Sequence, residues 1–135
     1  MVRLGLVTYG ISENSNLNKE LTPVITWSSQ VAQIKSVDKG ESIGYGRSFR
    51  SEKEMQIAIV PVGYADGFRR SLGNGNGIVF INGQKFYTIG NICMDMIMID
   101  VTETIIEEGD LVEIIGPNQS LIQFSELLDT IPYEV

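Results

Sequence analysis

Val79-Phe80-Ile81-Asn82-Gly83-Gln84-Lys85-Phe86 sets an Asn-Gly pair between two apolar runs. That arrangement is the strongest short-range hairpin signal, because both residues tolerate the positive φ that a tight primed turn needs. The stretch therefore predicts two antiparallel strands meeting at Asn82-Gly83. Just upstream, Gly73-Asn74-Gly75-Asn76-Gly77 reads as a loop of residues that accept positive φ. Downstream, residues 94–101 and 111–115 read as two further strands, parted by the acidic turn Glu107-Glu108-Gly109-Asp110.

The same reading extends outward. Ile57-Ala58-Ile59-Val60-Pro61-Val62 is almost wholly apolar, as expected of a strand covered on both faces. Pro61 cannot donate to a ladder, so it belongs at a bulge, an edge or the strand end. Residues 24–37 predict one long strand with Ile25, Trp27 and Val31 on one face. Its phase slips near Val31-Ala32, which marks a bulge or bend. Asp38-Lys39-Gly40-Glu41 is a turn, and 42–49 is extended but broken by glycine.

Residues 2–8 read as a short buried strand and 11–20 as a polar connector. One helix is expected, over 121–129. Ser120 caps it, Gln123 completes a capping box, and Leu121, Phe124 and Leu128 share its core face. Roughly six to eight short strands with one late helix give an all-β fold, a small barrel or sandwich.

Composition narrows the function classes. A chain of 135 residues can bury about two-thirds of its unfolded surface, so it folds without a metal or disulfide staple. Seventeen acidic against ten basic residues give a net charge of −7, the wrong sign for a general nucleic-acid binder. The single cysteine, Cys93, excludes an internal disulfide and fits a reducing compartment. No stretch approaches the ~20 apolar residues that cross a bilayer. The apolar run at the N-terminus is too short for a secretory signal. Histidine is absent, which removes Ser-His-Asp and Cys-His catalysis and histidine-bound zinc from within this chain. Acid–base chemistry falls to Tyr, Asp, Glu, Lys or Cys.

Three segments carry candidate chemistry. Gly44-Tyr45-Gly46-Arg47 places a phenol between glycines that leave its approach open, with a guanidinium near enough to stabilise phenolate. The structural alternative is an aromatic packed on the barrel. Gly63-Tyr64-Ala65-Asp66-Gly67-Phe68-Arg69-Arg70 opens from a buried strand, a common place for a ligand site, or is simply a solvated turn. In Asn91-Ile92-Cys93-Met94-Asp95-Met96, one cysteine without histidine argues against thiol or copper chemistry. The side chains of Cys and Met then read as core filler. A backbone N–H there remains free to bind an anion. Arg3, in the first apolar run, needs a partner or a route to water. Tyr133 reads as ordinary core.

Taken together, the spacing of these pieces resembles the C-terminal part of bacterial alanine racemase. The matching stretches are Val2-Arg3-Leu4-Gly5 with Tyr9-Gly10, Gly44-Tyr45-Gly46-Arg47, Val62-Gly63-Tyr64-Ala65-Asp66-Gly67, Ile92-Cys93-Met94-Asp95 and Thr130-Ile131-Pro132-Tyr133-Glu134. They run in the family's order over essentially the whole chain, and the Gly-Tyr-Ala-Asp-Gly and Cys-Met-Asp pieces are specific in combination.

The resemblance implies a fold-type III enzyme. An N-terminal (β/α)₈ barrel holds pyridoxal phosphate (PLP) on a lysine, and the C-terminal domain is mainly β and barrel-like with one short helix. The active enzyme is a head-to-tail homodimer, each site joining the barrel of one subunit to the C-terminal domain of the other.

On that basis residues 1–12 are the remnant of the last barrel strand, 13–20 a linker, and 21–135 the C-terminal β-domain, ending before the family's final strand. Tyr45 falls on the catalytic tyrosine. Met94 falls on the residue whose backbone binds the substrate carboxylate, and Tyr64 on the narrow entrance. Tyr133, Gly5 and Leu6 fall on phosphate-binding positions, and Arg3 faces the pyridine nitrogen. No metal is implied.

Alanine would be the substrate, and its D-isomer a cell-wall precursor. The enzyme would be cytoplasmic, without nucleic-acid or membrane partners, and this chain alone would be inactive. Asn91 stands where many relatives carry arginine. Two rivals remain at this stage: a serine racemase of the vancomycin-resistance type, against which Tyr133 leans, and a non-catalytic interaction module.

Overall fold

The computed structural model describes residue 1, residues 4–12 and residues 14–135. A one-turn helix α1 (Ser15–Asn18) begins where the Asn14 side chain accepts from the Asn16 and Leu17 amides. Then follow β1 (Trp27–Gln30), β2 (Gln33–Val37), the short β3 (Ser42–Ile43) and β4 (Phe49–Arg50), and β5 (Met55–Val60). The hairpin β6 (Ile78–Ile81) and β7 (Gln84–Ile89), then β8 (Ile97–Asp100), β9 (Leu111–Ile115) and helix α2 (Leu121–Leu127) complete the chain. The fold is mainly β, as expected.

Seven strands form one antiparallel sheet in the order β1-β9-β6-β7-β8-β5-β2. The two edge strands, β1 and β2, are separated in sequence only by Val31 and Ala32. The Val31 amide donates to Asp110 O beside β9 at 2.9 Å, while the next amide, that of Ala32, donates to Ile59 O on β5 at 2.9 Å. One segment therefore leaves one edge of the sheet and joins the other within a single peptide. This draws the two edges together and curls the sheet toward a barrel. It is the bend that the slipped phase at Val31-Ala32 marks.

The inner face is lined by side chains such as Ala58, Val60, Val79, Ile99, Val112 and Ile114, all buried. Half-buried Trp27 meets Phe68 and Phe124 edge-on, and those two rings are tilted against each other, with centroids 5.7–6.3 Å apart. Helix α2 presents Leu121, Phe124 and Leu128 to this core. Its capping box is formed as the sequence indicates, Ser120 Oγ accepting from the Gln123 amide and Gln123 Oε1 from the Ser120 amide.

Phe124 is fully buried, so Phe124→Ala should cost about 3–5 kcal/mol through lost transfer energy and a residual cavity. Urea unfolding of the purified chain checks this. A cost below about 1 kcal/mol would mean the core collapses around the deletion.

A second cluster lies on the other side of β5 and β8. Met55, Ile57 and Met98 pack there under the β3–β4 pair with Val37, Ile43 and Cys93. The nearly unbroken apolar run of β5 follows from this, since both of its faces are covered. Pro61 falls just past the strand end.

Four expectations need correction. The single strand read over 24–37 is two, Trp27–Gln30 and Gln33–Val37, at opposite edges of the sheet, because the chain changes partners between Val31 and Ala32. The strand read over 2–8 is not present in its described part. Leu6–Tyr9 is instead a 3-10 turn, closed by the Thr8 amide and hydroxyl on Gly5 O, and only Leu6 is buried within it. The strand read over 94–101 spans only Ile97–Asp100, because the Cys93 amide bonds Met96 O at 3.0 Å and turns the chain first. Helix α2 stops at Leu127 rather than 129, and Asp129 takes φ 52°.

Candidate functional site

Tyr45 lies at the tip of the loop between β3 and β4. Ser42 pairs with Arg50 and Ile43 with Phe49, so the loop is held at its base by very short strands. At the tip Gly44, Gly46 and Arg47 all have positive φ, at 75°, 72° and 51°. The first two are glycine because L side chains resist that region. The Tyr45 ring is 75% exposed, which overturns the reading of an aromatic packed on the barrel. Nothing in the core needs this side chain.

The segment 90–94 passes beneath that loop. Asn91 Nδ2 donates to Tyr45 O at 2.8 Å, and Asn91 Oδ1 accepts from Asn74 Nδ2 at 3.1 Å. Asn74 is itself fixed, its amide donating to Gly90 O at 2.8 Å. On the far side of the segment, the Tyr64 amide donates to Cys93 O and the Ala65 amide to Met94 O, each at 3.0 Å. Gly63 makes this possible. A Cβ there would lie 2.5 Å from the Cys93 and Met94 carbonyl oxygens. Asp66 closes the turn by accepting from the Gly63 amide at 2.9 Å, so the Gly63–Gly67 stretch is a structured clamp rather than a loose solvated turn.

Tyr45, Met94 and Tyr64 are thus joined into one cluster, Tyr45 through the Asn91 side chain and Tyr64 through backbone bonds. Tyr64 is half-exposed and Met94 60% exposed. The reading of Cys93 and Met94 as core filler is right for Cys93 and wrong for Met94. Cys93 is buried. Burial pushes its thiol up, the Asp95 carboxylate adds to the rise, and a backbone hydrogen bond from Tyr45 opposes both. The raised value leaves Cys93 a neutral thiol near pH 7. The Met94 amide has no acceptor among the described residues. An N–H without a partner, on an exposed residue, is suited to a carboxylate or similar anion.

A second cluster forms at the chain termini. The Leu6 amide donates to Tyr133 Oη at 3.1 Å, across 127 positions of sequence. Tyr133 is 64% exposed, so the reading of ordinary core is corrected here as well. Its ring stands at the edge of a groove of about 560 Å³ shared with Leu6, Tyr9, Asp66 and Pro132. A Cβ on Gly5 would collide with the Tyr133 hydroxyl, so glycine there makes room for that hydroxyl to accept from the Leu6 amide. Arg3 lies outside the described residues.

Tyr45 and Tyr133 line separate concavities, the second of which Asp66 of the Tyr64 turn also borders. Tyr45 borders one with Lys35, Ile43 and Met96, and Tyr133 borders the other. Asn74 was not singled out by the sequence, and the part of Asn91 beneath Tyr45 was not foreseen. The only sequence signal for Asn74 is an asparagine inside a glycine-rich loop, which turn chemistry already explains. Among the described residues no helix is long and apolar enough to cross a membrane.

Residues 24–135 match the family model described as "Alanine racemase, C-terminal domain". The alanine racemase of Clostridium tetani is 42% identical over 99% of this chain, which spans 37% of that protein's length. Among solved structures, an alanine racemase from Clostridium difficile superposes with a TM-score of 0.88 at 35% identity, covering 99% of this chain and 36% of that one. The Bartonella henselae alanine racemase, solved with covalently bound pyridoxal phosphate, gives a TM-score of 0.86 at 36% identity, covering 96% of this chain and 36% of that one.

Proposed function

This chain belongs to the family of alanine racemase C-terminal domains, and from that premise we propose that it is part of a longer PLP-dependent racemase that interconverts L- and D-alanine. The observation that carries the reading is Tyr45, a phenol held 75% exposed on a braced loop with no packing role of its own. In this reading Tyr45 Oη takes the α-proton from L-alanine and returns it in the reverse direction. The barrel lysine serves the opposite face. Two bases on two faces allow either enantiomer to form, because each delivers a proton only on its own side.

The cofactor fits the second cluster. Glycine at position 5 leaves room for the Tyr133 hydroxyl, which accepts from the Leu6 amide and keeps its own proton to donate to a phosphate. In the whole protein these residues would hold the phosphate, and Arg3 would face the pyridine nitrogen, where a guanidinium resists giving up its proton. Bound there, PLP supplies the electron sink that eases loss of the α-proton. The unpartnered Met94 amide takes the substrate carboxylate, and Tyr64 narrows the approach.

That Tyr45 and Tyr133 line different concavities supports a head-to-tail homodimer. Tyr45, Met94 and Tyr64 then complete the partner's site, while Gly5, Leu6 and Tyr133 serve the site of their own subunit. Residues 1–12 are assigned to the end of the barrel, 13–20 to a linker and 21–135 to the β-domain. The setting proposed is the bacterial cytoplasm, with D-alanine consumed in peptidoglycan synthesis.

The full-length protein with PLP should racemise alanine faster than serine, and the 135-residue chain with added PLP should racemise neither. Circular dichroism of both amino acids over time reads the result. Faster serine turnover would move the assignment to the serine enzyme, and turnover by the isolated chain would overturn the division of the site between subunits. An interaction module would give no turnover in the full-length protein either.

A further inference from the structure

We propose that Asn91, braced by Asn74, is a positioning residue that fixes the reach of Tyr45 toward the substrate. The inference rests on Tyr45 being a base and adds the means by which its place is held. The problem it addresses is mechanical. Proton transfer needs the phenol within hydrogen-bond reach of the α-carbon's proton, and small misplacement is costly. Yet Tyr45 is 75% exposed, so no packing immobilises its ring. Its loop springs from strands of two residues each and contains two glycines, the residues with the most backbone freedom to lose.

Asn91 answers this need. Its amide uses both ends, Nδ2 donating to Tyr45 O at 2.8 Å and Oδ1 accepting from Asn74 Nδ2 at 3.1 Å. The two contacts together settle which end of the amide faces Tyr45, since a carbonyl can only accept and the Asn74 NH₂ is aimed at the other end. The space beside Gly46 is open to this amide, the Asn91 Nδ2 lying 3.7 Å from where a Cβ would stand. Asn74 cannot drift, because its backbone amide bonds Gly90 O, one residue before Asn91. The glycine-rich loop 73–77, the turn at 90–91 and the catalytic loop thus form one chain of hydrogen bonds. The same segment also carries Met94. The backbone that carries the Tyr45 side chain and the carboxylate-binding amide of Met94 are therefore tied to a single stretch of chain.

The test uses the full-length enzyme with PLP and α-deuterated alanine. Asn91→Ala should lower kcat by on the order of tenfold with a smaller change in KM. The deuterium isotope effect should rise for L-alanine, whose proton Tyr45 removes, and should not rise for D-alanine, whose proton the lysine removes. Asn74→Ala should shift the same quantities in the same direction by less, and the double variant should lose no more than Asn91→Ala alone.

A loss of rate that raises both isotope effects alike, or unchanged kcat in Asn91→Ala, would overturn the proposal. Should Asn91→Ala fail to fold, Asn91→Ser and Asn74→Ala decide by the same isotope effects. Tyr45→Phe in parallel separates the two levels. If that variant retains full rate, the reading of Tyr45 as base fails. If it is inactive while Asn91→Ala matches the parent, only the positioning role fails.

Discussion

Tyr45→Phe in the full-length protein should lower alanine racemisation by about 10²–10⁴-fold, the range supplied by one positioned acid–base group. The substitution removes a single oxygen from a ring that is 75% exposed and makes no core contact. Stability should therefore move by no more than about 0.5 kcal/mol, the range for surface changes away from special features. The loss should also be one-sided. Exchange of the α-proton of D-alanine with deuterated solvent should persist, because the lysine on the barrel still serves that face. Exchange of the α-proton of L-alanine should fall with racemisation. Proton NMR of each enantiomer in deuterium oxide separates the two. A variant that racemises within threefold of the parent would remove Tyr45 from the chemistry and leave the cluster around it as a scaffold.

The parts of this fold that were legible are those written locally. Asn82 and Gly83 take φ of 52° and 76°, and Ile81 pairs with Gln84 across them. Those values need nothing beyond the two residues themselves. The capping box of α2 is local too. The bend at Val31-Ala32 showed as a slipped phase, but what it does was not readable. Whether Ala32 joins β5 or continues along β9 depends on residues about 27 or about 80 positions away.

Residues 2–8 misled for the converse reason. An apolar run suits a strand only if another strand pairs with it, and here the chain folds back on Gly5 O instead.

At the site, the phenol of Tyr45 was visible as a chemical type in an unusual setting. Met94 and Tyr133 were not, because side-chain reasoning sends a thioether and a phenol inward. Met94 is exposed with a free amide, and Tyr133 spends its hydroxyl on the Leu6 amide. A backbone donor has no residue type, so composition cannot announce it. The resemblance supplied these positions, and both residues are exposed. The Asn74–Asn91–Tyr45 chain lay beyond both, since it joins segments 17 and 46 positions apart through one amide.

That Tyr45 and Tyr133 line different concavities leads to the second large effect. If Tyr45 works in the partner's site, two inactive subunits should restore each other. One carries Tyr45→Phe and an intact barrel. The other carries an intact Tyr45 and a barrel whose PLP lysine is replaced. Each homodimer is inactive. In a hybrid dimer one site receives both lesions and the other receives none, because a twofold interface gives each subunit's donor residue to the opposite site.

Random mixing makes half the dimers hybrid with one good site of two, so activity should return to about a quarter of the parent's. That is a rise from near zero, against a background lowered about 10²-fold or more. If Tyr45 instead served its own subunit, every site in every mixture would carry one lesion, and mixing would restore nothing. The outcome is independent of whether Tyr45 acts through a phenolate or through a bridging water. It depends only on which subunit the loop between β3 and β4 reaches, and because Tyr45 and Tyr133 line different concavities of this chain, the crossed arrangement is the expected one.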